Sequence, residues 1–92
     1  MLTNLAVLTP NLKDTPVQHL MSLRLALIER SKSCQHGTEE YNDLSLAINK
    51  VTAEIRGMGV EPAVAPRGST EVVKFYRTAV AMYWPLFRAL LK

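Results

Sequence analysis

The chain is poor in the residues that carry most enzyme chemistry and most metal binding. It has one cysteine, Cys34, and two histidines, His19 and His36. A single cysteine excludes an internal disulfide and a four-cysteine metal site, and it is typical of a reducing compartment such as the cytoplasm. No glycine-rich phosphate loop and no recognisable nucleophile motif is present. The sequence therefore predicts a cytoplasmic protein that is not an enzyme and has no cofactor.

Cys34 and His36 are close enough in sequence to be considered as two ligands of one metal ion. Transition-metal sites usually have three or four protein ligands, so two residues at this spacing are too few. His19 lies too far along the chain to join them unless a second chain contributes. We interpret Cys34 and His36 as ordinary loop residues and predict no metal site.

Long hydrophobic runs are also missing. The longest uncharged run near the C-terminus, residues 78–87, is about half of the roughly 20 residues that cross a bilayer. Residues 1–8 lack the basic start and long apolar run of a secretory signal. The sequence predicts neither a membrane span nor export.

Apolar residues do recur with helical spacing. The chain has 92 residues, of which 48% are hydrophobic and 21% charged, and this composition is typical of one small folded domain. A stripe at alternating steps of three and four lies along one side of a helix and is buried only when another helix covers it. The sequence therefore predicts helix-to-helix packing. The stripe consists of Tyr41, Leu44, Ile48, Val51, Ile55 and Met58.

Two helices are predicted on either side of a short polar connection. Thr15, Pro16 and Gln18 form a compound start signal for a first helix over residues 15–33. The connection ends at Gly37, a residue type that terminates helices, and Thr38 caps a second helix over residues 38–57. A connection this short makes the two helices antiparallel neighbours.

The remaining segments complete an all-α prediction, that is, an antiparallel helical hairpin followed by a C-terminal amphipathic helix. Residues 1–14 are predicted to form an apolar N-terminal arm packed on the body. Prolines and glycines predict an extended linker over residues 58–68. A third helix is predicted over residues 69–92, with a kink or break near Pro85, which lacks an amide hydrogen.

The third helix is the predicted working surface. The charges cancel through residue 68, so the whole net charge of +3 lies on the last segment. Aromatic side chains and arginine dominate many protein interfaces. Tyr76 and Tyr83 are central in its apolar stripe, and we expect Trp84 and Phe87, nearer the edge, to contact another chain. The stripe consists of Val72, Tyr76, Ala79, Tyr83, Leu86 and Leu90. A second apolar row beside it consists of Val73, Val80, Trp84, Phe87 and Leu91. The basic residues expected to face a partner are Lys74, Arg77 and Arg88.

Arg24 is the one charge near the middle of the apolar arc of the first helix. A charge there must be paired, reach solvent along its own methylenes, or contact something outside the monomer. We therefore include Arg24 among the candidate partner-binding residues.

These features predict a protein-interaction module that acts as an inhibitor or adaptor by occupying a surface of a larger protein. Self-association, most simply as a homodimer, is expected because the first and third helices each have an apolar arc of about 200°, wider than one neighbour covers. Nucleic-acid binding through the basic C-terminal helix is the alternative function. Membrane-surface binding through the same helix is a second alternative.

Overall fold

The computed structural model describes residues 15–62 and 66–91, and in these residues the chain forms three helices and no strand. We label the helices α1 (Pro16–Ser33), α2 (Glu39–Gly57) and α3 (Thr70–Leu91). The predicted all-α fold is confirmed. The N-terminal arm predicted over residues 1–14 lies outside the described residues.

Local capping interactions begin α1 and α2. The hydroxyl of Thr15 accepts a hydrogen bond from the Gln18 amide at 3.3 Å, and the Gln18 side chain accepts one from the Thr15 amide at 2.8 Å. This is the predicted capping box, which satisfies two amides that have no partner within the helix. Thr38 caps α2 by accepting from the Tyr41 amide at 3.2 Å. Gly37 precedes it with φ of 85°, a conformation that favours glycine.

The helices α1 and α2 pack as an antiparallel hairpin. The Nε of Arg24 donates to the Thr52 hydroxyl at 2.9 Å, and an Nη of Arg30 lies 3.1 Å from a carboxylate oxygen of Glu40. The contacts therefore move forward along α1 and backward along α2.

The third helix packs against the other side of α1. Just before α3, the Gly68 amide donates to the Ser22 hydroxyl at 3.1 Å, and further along Arg77 pairs with Glu29. Its last turns reach α2 through an ion pair. Since α1 has α2 on one side and α3 on the other, much of its wide apolar arc is covered within one chain. The width of the apolar arc of α1 therefore does not by itself require a second copy of the chain to cover it.

The α2 stripe is buried in its middle and exposed at its end. Leu44 and Ile55 are 0% exposed and Val51 is 1% exposed. Ile48, in the middle of the stripe, is only half-buried against this core. Met58 follows the end of the helix and is half exposed.

The buried row of α3 differs from the stripe that its spacing predicts. Four core residues follow one another at steps of four, namely Val72, Tyr76, Val80 and Trp84. A four-residue step advances about 40° around a helix, so a row at this spacing winds obliquely around α3. A stripe at alternating three- and four-residue steps stays on one side, and the two therefore diverge along the helix. The second half of the predicted stripe is therefore exposed. The helix continues through Pro85 without interruption, so no break occurs, and the kink stays a prediction.

Candidate interaction surfaces

Trp84 belongs to the core of the monomer, which corrects its predicted role at a contact with another chain. It is 1% exposed and is among the largest fully buried side chains. Its indole Nε1 has no hydrogen-bond partner among the described residues, so its contribution comes from volume and apolar contact. Phe87 is half-buried and packs against the same core, which leaves it only partly available to a partner. The residues singled out as edge aromatics therefore stabilise the fold.

A different set of α3 side chains is exposed. These large apolar residues have between 49% and 64% of their surface open. At 100° per residue they fall within a sector of about 100° on one side of the helix. We call this surface the α3 apolar face. It consists of Met82, Tyr83, Leu86 and Leu90. Sequence reasoning assigned Tyr83 and the two leucines to the buried stripe, and only the packing reveals that they are open.

Two of the predicted partner-binding cations form ion pairs within the chain. Arg77 forms a two-pronged contact with Glu29, with Nε···Oε2 at 3.0 Å and Nη2···Oε1 at 2.9 Å. Arg88 donates through Nε to Oδ2 of Asp43 at 2.7 Å. The hydrogen bond to Glu29 raises the pKa of Arg77, and the hydrogen bond to Asp43 raises the pKa of Arg88. These cations therefore attach α3 to its neighbours. Lys74 is exposed.

We expect Arg88→Gln to lower the melting temperature more than Arg77→Gln does. The side chain of Asp43 is 11% exposed, whereas that of Glu29 is 37% exposed. Removing the arginine from an ion pair destabilises the fold more when the remaining carboxylate is buried, because water cannot take the place of the arginine. Thermal unfolding followed by circular dichroism measures the difference. Each variant loses one positive charge, so they control for each other. Equal shifts would show that the burial of Asp43 does not strengthen its pair.

Arg24 lies half-buried between α1 and α2. Its Nε donates to the Thr52 hydroxyl, which itself donates to the Ile48 carbonyl at 2.7 Å. Only one edge of the guanidinium is used in this contact. The hydrogen bond explains how a charged side chain is tolerated beside an apolar arc.

A small polar cluster lies in the core between α1 and α3. The Nδ1 of His19 and the hydroxyl of Tyr76 are 3.2 Å apart, and burial raises the pKa of Tyr76 to about 12. Ser22 is fully buried, and its hydroxyl donates to the Gln18 carbonyl at 2.9 Å. All three side chains are at least nine-tenths buried, so they are closed to a substrate. Their hydrogen bonds position α3 on α1.

The residues weighed as metal ligands are placed apart. His19 contacts Tyr76, whereas the ring of His36 stacks on Tyr41 with centroids 4.3 Å apart. Burial, with a smaller effect from Glu40, raises the pKa of the Cys34 thiol, which disfavours the reactive thiolate. Within residues 15–62 and 66–91 no group of three or more histidine, cysteine or acidic side chains could hold a metal ion.

The fold and its surfaces define a small three-helix protein with an exposed apolar helix face. No protein-family model, curated protein or solved structure matches the chain. In the part of the chain that the structure describes, none of the helices has the length and apolarity needed to cross a membrane.

Proposed function

We propose that this chain is a non-enzymatic protein-interaction module that self-associates through the α3 apolar face. The observation that carries the proposal is the exposure of four large apolar side chains along one side of a helix. Exposed apolar patches of a few hundred Å² on small proteins are often functional, because leaving them in water is unfavourable. In this proposal the chain acts as an inhibitor or adaptor by covering a surface of a larger protein.

The charge pattern of α3 supports an apolar contact over an electrostatic one. Residues 78–87 contain no charged side chain. Arg77 and Arg88 project from nearly the opposite side of the helix at 100° per residue, and each is paired within the chain. Phosphate or anionic lipid would need cations beside the apolar face. Nucleic-acid and membrane-surface binding therefore rank below protein binding.

A second copy of the chain is a suitable occupant of this face. A two-fold axis would place the same uncharged residues opposite one another, so no like charges would meet. At roughly 100 Å² for each half-exposed large side chain, the face offers about 400 Å² per copy. Stable interfaces bury about 800 Å² per partner. The dimer should therefore be weak and in equilibrium with monomer, which leaves the face open to a larger partner at low concentration.

We expect sedimentation equilibrium to show a concentration-dependent dimer of the wild-type protein, and we expect Leu86→Glu to abolish it. Leu86 is 64% exposed, so the new charge is solvated in the monomer but would lie buried in the dimer. Leu46→Glu is the matched control, since Leu46 is also an exposed helical leucine, 42% open, but lies on α2.

Loss of the dimer in Leu86→Glu with retention in Leu46→Glu supports the proposal. A wild-type protein that stays monomeric at the highest soluble concentration contradicts self-association. Binding of the wild type to anionic vesicles or to a DNA duplex, lost on raising the salt concentration, would favour the alternative functions.

A further inference from the structure

A second surface lies along one side of α1. It is a groove of about 420 Å³ whose described lining residues come from α1 and from Pro62, Pro66 and Arg67. Met21, Leu25 and Ile28 line its α1 side, which we call the floor, and are spaced by four and three residues. Leu25 and Ile28 are half-buried and Met21 is 8% exposed, so a ligand would meet mainly Leu25 and Ile28. Pro62 and Pro66 form the opposite wall, and neither has an amide hydrogen to donate. The floor and that wall are therefore mainly apolar.

Two arginines give the groove its charge. Arg24 and Arg67 line it, and no acidic side chain among residues 15–62 and 66–91 does. Among the described residues neither arginine forms an ion pair. The hydrogen bond from the Nε of Arg24 to Thr52, at 2.9 Å, holds the guanidinium at the edge of the groove and leaves its two Nη groups to donate. An unpaired pair of cations beside an apolar floor is complementary to a ligand that is both acidic and apolar.

We infer that this groove binds a short acidic peptide segment of a protein partner. Apolar side chains of the segment lie against Met21, Leu25 and Ile28, and an aspartate or glutamate between them accepts hydrogen bonds from Arg24 and Arg67. Arginine suits this role because its planar guanidinium matches a carboxylate. A nucleic-acid backbone would meet the two cations but would leave the apolar floor without a matching surface, so a peptide fits better.

This inference goes beyond the proposed function because the groove and the α3 apolar face are built from different elements. A change at Leu86 leaves the groove intact, and a change at Arg67 leaves the α3 apolar face intact. Peptide binding and self-association can therefore succeed or fail independently.

The test is selection of peptides from a displayed random library against the full chain, followed by fluorescence anisotropy with the selected peptides made synthetically. We expect the selected sequences to combine aspartate or glutamate with large apolar residues. Arg24→Gln and Arg67→Gln should each weaken binding by about tenfold, the loss expected for a charge-assisted hydrogen bond. Lys50→Gln, which removes an exposed charge of α2 outside the groove, is the matched control and should bind as the wild type does.

Arg24 also joins α1 to α2, so the fold of each variant is checked by thermal unfolding. Arg67 is exposed, and its variant tests the groove even if Arg24→Gln unfolds. Retained binding in Leu86→Glu supports a site separate from the α3 apolar face. The inference is overturned if no peptide is selected, if the selected peptides lack acidic residues, or if Arg67→Gln binds them as the wild type does. Tighter, arginine-dependent binding of a single-stranded oligonucleotide would also overturn it.

Discussion

Replacing Trp84 by alanine should lower the free energy of unfolding by about 3–5 kcal/mol, the usual cost of truncating a large buried aromatic side chain. Trp84 is 1% exposed and packs in the same cluster as residues of α1 and α2. Its loss would leave a cavity where the last turns of α3 meet the hairpin. Because a small domain has only about 5–15 kcal/mol of stability, this loss removes a large share of it and should clearly lower the urea concentration at which the variant unfolds.

Urea unfolding followed by circular dichroism measures this effect without depending on tryptophan fluorescence. Tyr83→Ala is the matched control, because Tyr83 is the neighbouring aromatic residue and is 49% exposed. That change should alter stability by no more than about 0.5 kcal/mol, as exposed positions usually do. The assignment of Trp84 to the core is wrong if Trp84→Ala is as stable as Tyr83→Ala.

Ile55→Ala should destabilise the protein by about 2–5 kcal/mol, and Ile48→Ala should cost clearly less. Both residues lie in the apolar stripe of α2, seven positions apart, and both changes remove the same atoms. Ile55 is 0% exposed, whereas Ile48 is only half-buried. The difference between the two therefore measures burial alone. A larger loss for Ile48→Ala than for Ile55→Ala would contradict the deeper burial of Ile55.

The N-terminal ends of α1 and α2 could be predicted from the sequence because the capping interactions that form them are local. Thr15 and Gln18 are three residues apart, as are Thr38 and Tyr41. A capping side chain needs only its own helix to find its partner. The antiparallel hairpin follows in the same way, since a short connection leaves no other arrangement of two amphipathic helices.

The candidate site could not be read so directly. Arg77 and Arg88 are basic residues of an exposed helix in the sequence, and their partners, Glu29 and Asp43, are 48 and 45 positions away. No local pattern connects residues at that separation. The tryptophan was misplaced for a related reason. It was predicted to contact another chain because it lies near the edge of the apolar arc of α3, but the packing of α3 on the other helices buries it to 1% exposure.

Periodicity, caps and short connections act within a few residues, so the amino-acid sequence is enough to show that the protein is helical and that its first two helices form a hairpin. Which side of α3 is buried depends instead on tertiary packing. Two overlapping apolar rows run along that helix, and periodicity cannot choose between them. The choice depends on how α3 packs on the other two helices, which bury the row at four-residue steps. That packing buries Trp84 and leaves Leu86 in water.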